Sequence, residues 1–442
     1  MAGCGINLKL LNLQKVLKKA LIVTYYWPPA GGPGVQRWLK FVKYLRDFDI
    51  DPIVYIPENP SYPIIDESLI TEVSNDVTIL KHPIKEPYRF AKWLSKDTSN
   101  TISKGIISEK KKQSLVERLM LYVRGNYFIP DARKNWVKPS VKFLSDYIHE
   151  NQITTVITTG PPHSIHLIGL KLKQQLNIKW LADFRDPWTT IGYHKQLKLM
   201  KSSQAKHKAL ESQILQQADQ IIVTSSITKL EFETITNQPI EIITNGYDSE
   251  FNENVELDAK FSISHIGSFL SKRNPLILWE VLSELIDEDQ LLRSELQLNL
   301  IGAVSETIIE NLKSFQLDAY VNLVGYISHH EAVNYQHKSQ VLLLVEIDSE
   351  DTKCIIPGKL FEYMVSKRPI IAIGPKGSDI EQIIKNTNTG KYFKYSEKAH
   401  LKETILLYFK DFKAQKLKSH PIRLEQYSRK ALTQKLSELI HS

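Results

Sequence analysis

Residues 354–375 read CIIPGKLFEYMVSKRPIIAIGP. Pro357 and Gly358 make a turn, and Leu360, Phe361, Met364 and Val365 then recur at helical spacing. The run PIIAIG (369–374) follows, short and unbroken in apolar character, as expected of a strand covered on both faces. Turn, helix and strand in this order belong to a parallel α/β sheet. Free N–H groups at the helix start suit a phosphate, and Lys359 adds a cation beside them. Glu362 stands about one turn further in, where a carboxylate can accept two hydrogen bonds from the vicinal hydroxyls of a ribose. Taken alone, it serves equally as a first-turn acid facing the helix dipole.

The same alternation extends over the chain. In the first half the expected strands are ALIVTYY (20–26), DPIVYI (51–56), VTIL (77–80), TTVITT (154–159), KWLADF (179–184), QIIVTS (220–225) and IEIIT (240–244). In the second half they are SISHIG (262–267), QLNLIG (297–302), YVNLVG (320–325), QVLLLV (340–345) and PIIAIG. Helical segments such as 35–45 and 163–176 fill the intervals. The polar, acidic stretch 245–261, NGYDSEFNENVELDAKF, divides the two sets. The expected architecture is α/β, with two Rossmann-like domains facing each other across a cleft. Residues 1–250 form the first, 251–418 the second, and 419–442 a C-terminal helix whose apolar face seeks cover on the first domain.

Composition narrows the function. The 442 residues are 42% hydrophobic and 24% charged, enough for two globular domains and too charged for a membrane-embedded body. No stretch reaches the roughly 20 apolar residues of a spanning helix, and the N-terminus lacks the apolar block and cleavage site of a signal peptide. Two cysteines, Cys4 and Cys354, give neither a disulfide framework nor a metal site, so a cytoplasmic location is expected. The net charge of +8 points to an anionic partner. No aromatic-basic recognition motif accompanies it, so nucleic acid is not expected. Lys104, Lys110, Lys111, Lys112, Arg118 and Arg124 concentrate where Leu115, Leu119, Tyr122 and Val123 recur at helical spacing. This basic amphipathic helix fits either a solvated face or peripheral contact with the inner membrane surface.

Ligands of open parallel sheets sit beyond the carboxyl ends of the strands. After the first strand, WPPAGGPGVQRW (27–38) places Gly31, Gly32 and Gly34 before a helix. The spacing is not G-x-G-x-x-G and no acid follows the second strand, which disfavours a nicotinamide cofactor. Loops after the fourth and fifth strands bring His163, Asp183, Arg185 and Asp186 toward one place. Individually they also read as a helix cap, a loop-amide acceptor and a local ion pair. In the second half, HIGSFLSKRNP (265–275) offers Gly267 for close phosphate approach and Lys272 and Arg273 as cations.

These residues carry a resemblance. NGYD (245–248), IGSFLSKRNP (266–275) and above all IPGKLFEYMVSKRPIIAIGPKGSDIEQII (356–384) resemble the C-terminal half of retaining glycosyltransferases of family four, which have the GT-B fold. GGPGVQRWLKFVKYL (31–45), TTGPPHSIHLIGLKLK (158–173) and KWLADFRDPW (179–188) look like a bacterial polysaccharide or glycolipid branch, and the likeness runs from about Lys19 to about Asn388. It implies metal-independent transfer of a sugar, with retained anomeric configuration, from a nucleotide-sugar donor to a carbohydrate or lipid-linked acceptor. The nucleotide sugar is a co-substrate, and no cofactor is implied. Glu362 would bind the ribose; Pro357, Gly358, Lys359 and Leu360 would surround diphosphate and sugar. Gly31, Gly32, Gly34, Gly267 and Lys272 would line the donor, His163 would contact the transferring sugar, and Arg273, six residues after Gly267, would hold phosphate. Asp183, Arg185 and Asp186 would face the acceptor.

Two positions depart from the family. The family's first motif glutamate, separated from the second motif acid by seven residues, is replaced by Cys354, shifting attention to Asp348, Glu350 and Asp351 upstream. The arginine usual after the loop glycine is Ser268. A GT-B nucleotide-sugar epimerase and a non-catalytic sugar-nucleotide or polysaccharide-binding protein are the competing expectations.

Overall fold

The computed structural model describes residues 17–86, 115–195, 197–248 and 255–442. Two sheets, each wholly parallel, organise the chain. The first has strands β1 (Lys18–Val23), β2 (Ile50–Pro57), β3 (Thr78–His82), β4 (Thr155–Gly160), β5 (Lys179–Phe184), β6 (Gln220–Val223) and β7 (Ile240–Ile242) in the order β3-β2-β1-β4-β5-β6-β7. The second has β8 (Phe261–Ile266), β9 (Leu296–Ile301), β10 (Val321–Gly325), β11 (Val341–Val345), β12 (Ile370–Gly374) and β13 (Gly390–Lys394) in the order β10-β9-β8-β11-β12-β13. Both are Rossmann-like, and in both the winding reverses beside the first strand, between β1 and β4 and between β8 and β11.

The unbroken apolar runs explain the parallel arrangement. Every residue of β4, β6, β8, β11 and β12 is buried, because helices cover both faces of each sheet. In β1, Leu21 pairs with Ile53 on one side and Val156 on the other, placing that strand at the centre of its sheet. Strand β13 does not follow from the sequence. Its residues GKYFK bury only Phe393 fully, and it pairs with β12 alone at the sheet edge, where an apolar run is not required.

The C-terminal helix Arg429–His441 lies against the helix Pro33–Leu45. Leu432, Leu436 and Ile440 enter the same apolar cluster as Trp38, Leu39 and Val42. Burying such side chains stabilises by about 1.5–3 kcal/mol each. Lys18 and Lys179 tie the helix end to the first sheet through bonds to Ile440 O (2.6 Å) and Leu439 O (2.7 Å). The linker is held too: Asp248 takes Lys40 at 2.8 Å and Lys43 at 3.3 Å, and is bonded by the Tyr44 hydroxyl. No helix among the described residues is long and apolar enough to cross a membrane.

Candidate active site

The reversal point of the second sheet carries most of the chemistry. After β8 the chain turns at Gly267 with φ +108°, a left-handed value that side chains rarely adopt. Arg273 follows on a 3₁₀ turn, Ser271–Arg273. After β11 the chain reaches Pro357 and Gly358, and the helix Lys359–Val365 begins. Lys359 reaches across from that helix to β8: its Nζ donates to Ile266 O at 2.8 Å and lies 3.3 Å from His265 Nε2. Burial, and then the charge of Arg273, pull Lys359 down to about 7. Arg273 is itself lowered by burial, with Glu346 opposing. Glu346 and Glu362 act on these two cations only through longer-range charge, which does not offset the cost of burying them, the electrostatics of a site suited to an anion.

Glu362 lies behind them on the same helix. Its Oε1 is 3.2 Å from His329 Nε2, and its Oε2 accepts from Gln336 Nε2 at 2.7 Å. Burial pushes Glu362 up, but its bonds to His329 and Gln336 hold it below the usual carboxylate range; the bond to Glu362 correspondingly raises His329. The carboxylate is thus ionised and oriented, and each oxygen keeps a further lone pair for a ligand hydroxyl.

These residues line a cleft of about 560 Å³ between the lobes. Gly267, Ser268, Arg273, His329, Pro357, Gly358, Lys359 and Glu362 form its second-lobe wall; Gly32, Gln36, Arg185, Asp186, Thr224 and Asn245 face them from the first lobe. A smaller cavity of about 210 Å³ adjoins it, sharing Arg185 and Asp186. Tyr26, Arg124, Asp131, Arg133, His163, Trp188 and His194 are among its walls.

Several residues singled out in the sequence lie elsewhere than expected. Asp183 is wholly buried and cannot reach an acceptor: its carboxylate takes Arg37 Nη2 at 2.9 Å, Trp38 Nε1 at 2.8 Å and Thr159 Oγ1 at 2.8 Å, so it pins the first helix to the sheet. Leu360 has its side chain in the core and its N–H on Pro357 O, leaving neither for a ligand. Lys272 is exposed and does not line the cleft, whereas its neighbour Arg273 does. Gly31 also stays out of the cleft; a Cβ there would come 2.9 Å from Ile64 Cγ2, so close packing explains the glycine. Gly32 does line the cleft, at φ +107°. At Gly34 a Cβ would fall 1.8 Å from Arg185 Nη1, so the missing side chain makes room for that guanidinium. Arg185 in turn pairs with Asp186 at 3.1 Å.

His163 belongs to the smaller cavity, not the larger cleft. Its ring stacks on Trp188, with centroids 5.0 Å apart and planes within 4°, and neither ring nitrogen has a hydrogen-bond partner. Burial, then neighbouring His166, push it far below the usual imidazole range, so it is neutral. It does not cap the helix Ser164–Gln175; Asp131 does, bonding Ser164 N and Oγ at 2.8 Å each. Cys354 is hydrogen-bonded to Thr228 across the lobes, with burial pushing its thiol up to about 11. None of the three upstream acids lines the cleft, and Glu350 is taken by Lys353 at 2.5 Å. Lys104, Lys110, Lys111 and Lys112 lie outside the described residues, while the helix Leu115–Tyr127 leaves Leu115 and Leu119 81% and 62% exposed.

Four site residues have no clear sequence signal. His329 opens the helix His329–Lys338 four residues after β10 and Gln336 lies near its far end, so neither sits in a loop directly after a strand, and Asn245 is one polar residue in a polar linker. Arg429 opens a helix whose only legible feature is its apolar face, yet it lines the cleft and is 6% exposed. Glu346, at the end of β11, is buried and pushed up to about 7, held by Ser378 and Tyr392 at 2.6 Å each. Among the described residues no three His, Cys, Asp or Glu side chains gather as a metal site requires.

No protein-family model matches the chain, and no curated sequence matches it significantly. Solved structures do match. A glycosyltransferase from Rickettsia africae aligns over 96% of this chain and 97% of its own, with 14% identity and a TM-score of 0.60. Anabaena HepE, solved in complex with UDP and glucose, aligns over 96% and 100%, with 11% identity and a TM-score of 0.58. A protein described as a putative UDP-N-acetylglucosamine 2-epimerase from Listeria monocytogenes aligns over 96% and 96%, with 11% identity and a TM-score of 0.52. At these identities the likeness is one of fold, and it spans both lobes. The chain has the GT-B fold.

Proposed function

We propose that the protein is a glycosyltransferase that moves a sugar from a nucleotide-sugar donor to a carbohydrate or glycolipid acceptor, with retention and without a metal. The observation that carries this is the meeting of Lys359, Arg273, Gly267 and Glu362 at one reversal point of a Rossmann-like sheet: two cations and an approachable backbone for a diphosphate, and an ionised carboxylate for a diol. The UDP complex of HepE, a protein of the same fold, supports the choice of donor class.

In the proposed reaction the bond between the anomeric carbon and the diphosphate oxygen breaks, and negative charge grows on the departing diphosphate. Lys359 and Arg273 oppose that charge, worth about 3–4 kcal/mol for a well-placed donor. The acceptor hydroxyl bonds to the anomeric carbon from the same face and gives its proton to the departing phosphate oxygen. The cavity beside Arg185, with Tyr26, Trp188 and the neutral imidazole of His163, suits an acceptor sugar, since aromatic faces and a few polar groups recognise carbohydrate rings. Exposed Leu115 and Leu119 with Arg118 beside them support a peripheral membrane contact that would bring a lipid-linked acceptor to this cavity.

A thermal-shift screen of nucleotide sugars tests the donor, because a ligand of the folded state raises the melting temperature. Product analysis with and without acceptors then separates the reactions. A sugar transferred to an acceptor supports the proposal; epimerised donor in the absence of acceptor assigns epimerase chemistry, consistent with the fold shared with the Listeria protein. Binding with no conversion under any acceptor would make the chain a binding protein, and no stabilisation by any nucleotide sugar would remove the reading altogether.

A further inference from the structure

Where the two lobes join, the cleft holds two buried polar atoms that nothing satisfies: Arg429 Nη1 and Asn245 Oδ1. Both residues are 6% exposed. Leaving such groups unmet is costly, and more so for a charged one, so they are expected where a ligand completes them.

Backbone geometry fixes both residues. Tyr247 N bonds Tyr427 O at 3.1 Å and Arg429 N bonds Tyr247 O at 2.8 Å, so the linker and the C-terminal segment cross side by side. A Cβ on Gly246 would come 2.3 Å from Tyr427 O, which is why glycine stands at that crossing. Arg429 then opens the helix anchored on the first lobe, with Ser428 capping it through a bond from Ala431 N at 3.1 Å. Its guanidinium is therefore delivered to the cleft by the first lobe, opposite Glu362 on the second, and the two charges act on each other.

An unmet N–H donor and an unmet amide oxygen lining one cleft call for a ligand group that both accepts and donates, which describes a hydroxyl better than a phosphate. A phosphate oxygen would meet Arg429 well and Asn245 Oδ1 badly, and the cations for it stand at Lys359 and Arg273. We propose that Arg429 and Asn245 complete, with Glu362, the pocket for the ribose diol: hydroxyl hydrogens go to Glu362 and Asn245 Oδ1, and a hydroxyl oxygen accepts from Arg429 Nη1. The inference rests on the nucleotide-sugar reading of the cleft and adds two residues, from the linker and the terminal helix, that join ligand to both lobes.

Calorimetry with the full chain tests it, using UDP, GDP and ADP beside their 2′,3′-dideoxy forms. The wild-type protein should prefer the ribose form of its nucleotide by 10-fold or more, as expected for hydrogen bonds to charged groups. Arg429→Met and Asn245→Ala should each weaken the ribose form about 10-fold and leave the dideoxy form unchanged, so that the preference shrinks. A preference that survives in both variants overturns the proposal while leaving the nucleotide site standing. Binding of none of the three diphosphates to the wild-type chain at millimolar concentration removes the nucleotide reading and the inference together. Melting temperatures check folding, and Arg429→Lys, which keeps the charge without the fork, carries the test if Arg429→Met unfolds: it too should lose ribose preference.

Discussion

Lys359 gives the sharpest test of how the cleft would hold its ligand. Burial and Arg273 bring this amine to about 7. A bound diphosphate supplies the missing counter-charge and should return it toward the ordinary lysine value of about 10.4. The sign follows: binding favours the protonated amine, so affinity is complete well below pH 7 and falls as pH rises through 7. From these two values, donor Kd should rise about 10-fold between pH 6 and pH 8 and about 100-fold by pH 9, at roughly 1.4 kcal/mol per tenfold step. At pH 8 binding should take up about 0.9 proton, since roughly ten in eleven free molecules carry a neutral amine there. A nucleotide sugar is the right probe, because its esterified diphosphate does not titrate in this range, whereas a terminal phosphate does near pH 6.

Titration calorimetry in buffers of different ionisation enthalpy reads both the affinity and the proton count. Other groups face the same space. His265 is held neutral far below this range by burial and by Lys359, and Glu346 at about 7 is engaged by Ser378 and Tyr392 away from the cleft lining. His329, raised by Glu362, does titrate within reach of the cleft. The separating variants are Lys359→Arg, which stays charged and should flatten the profile, and His329→Gln, which should leave the steep limb above pH 7 in place. A donor Kd flat from pH 6 to pH 9, or a slope that persists in Lys359→Arg, would refute the assignment of this amine to the diphosphate.

Three further outcomes are expected. Glu362→Ala should raise the donor Kd by about 10- to 100-fold, the loss of hydrogen bonds to a charged group; calorimetry giving unchanged donor affinity would end its role at the ribose. Asp183→Asn should act on stability and not on acceptor recognition, because Arg37 and Asp183 are buried together at 2.9 Å and breaking such a pair costs about 3–5 kcal/mol; thermal unfolding should show a large drop, and a fully stable variant with altered acceptor KM would contradict the structural role. Gly34→Ala should do the reverse, since a Cβ 1.8 Å from Arg185 Nη1 displaces the guanidinium while alanine favours the helix by up to about 1 kcal/mol: acceptor KM should rise with the melting temperature kept.

The fold was legible where apolar residues run together, and the candidate site residues were legible where backbone chemistry is special. The central strands announce themselves because helices cover both faces of the two sheets and force apolar runs; the edge strands β3 and β10 are open to solvent but still carry apolar letters in VTIL and YVNLVG, whereas β13, GKYFK, keeps only Phe393 inside and offers no run. Pro357, Gly358 and Gly267 stood out because turns and positive φ restrict residue type. Asp183 and Leu360 show the limit of that logic. Both sit beside strand ends or turns where ligand residues are expected, yet one is consumed by Arg37, Trp38 and Thr159 and the other by the core. A polar or apolar letter at the right place does not reveal which way its side chain points. Arg429 shows the converse: it is separated by 67 positions from Glu362 in sequence (429 − 362), and only the return of the terminal helix to the first lobe brings it into the same cleft. What joins them is tertiary, so a local reading of either segment misses the pair. A helix whose only legible feature is its apolar cover thereby sets a cation where the lobes meet, which makes the packing of Leu432, Leu436 and Ile440 part of the site's construction as well as the fold's.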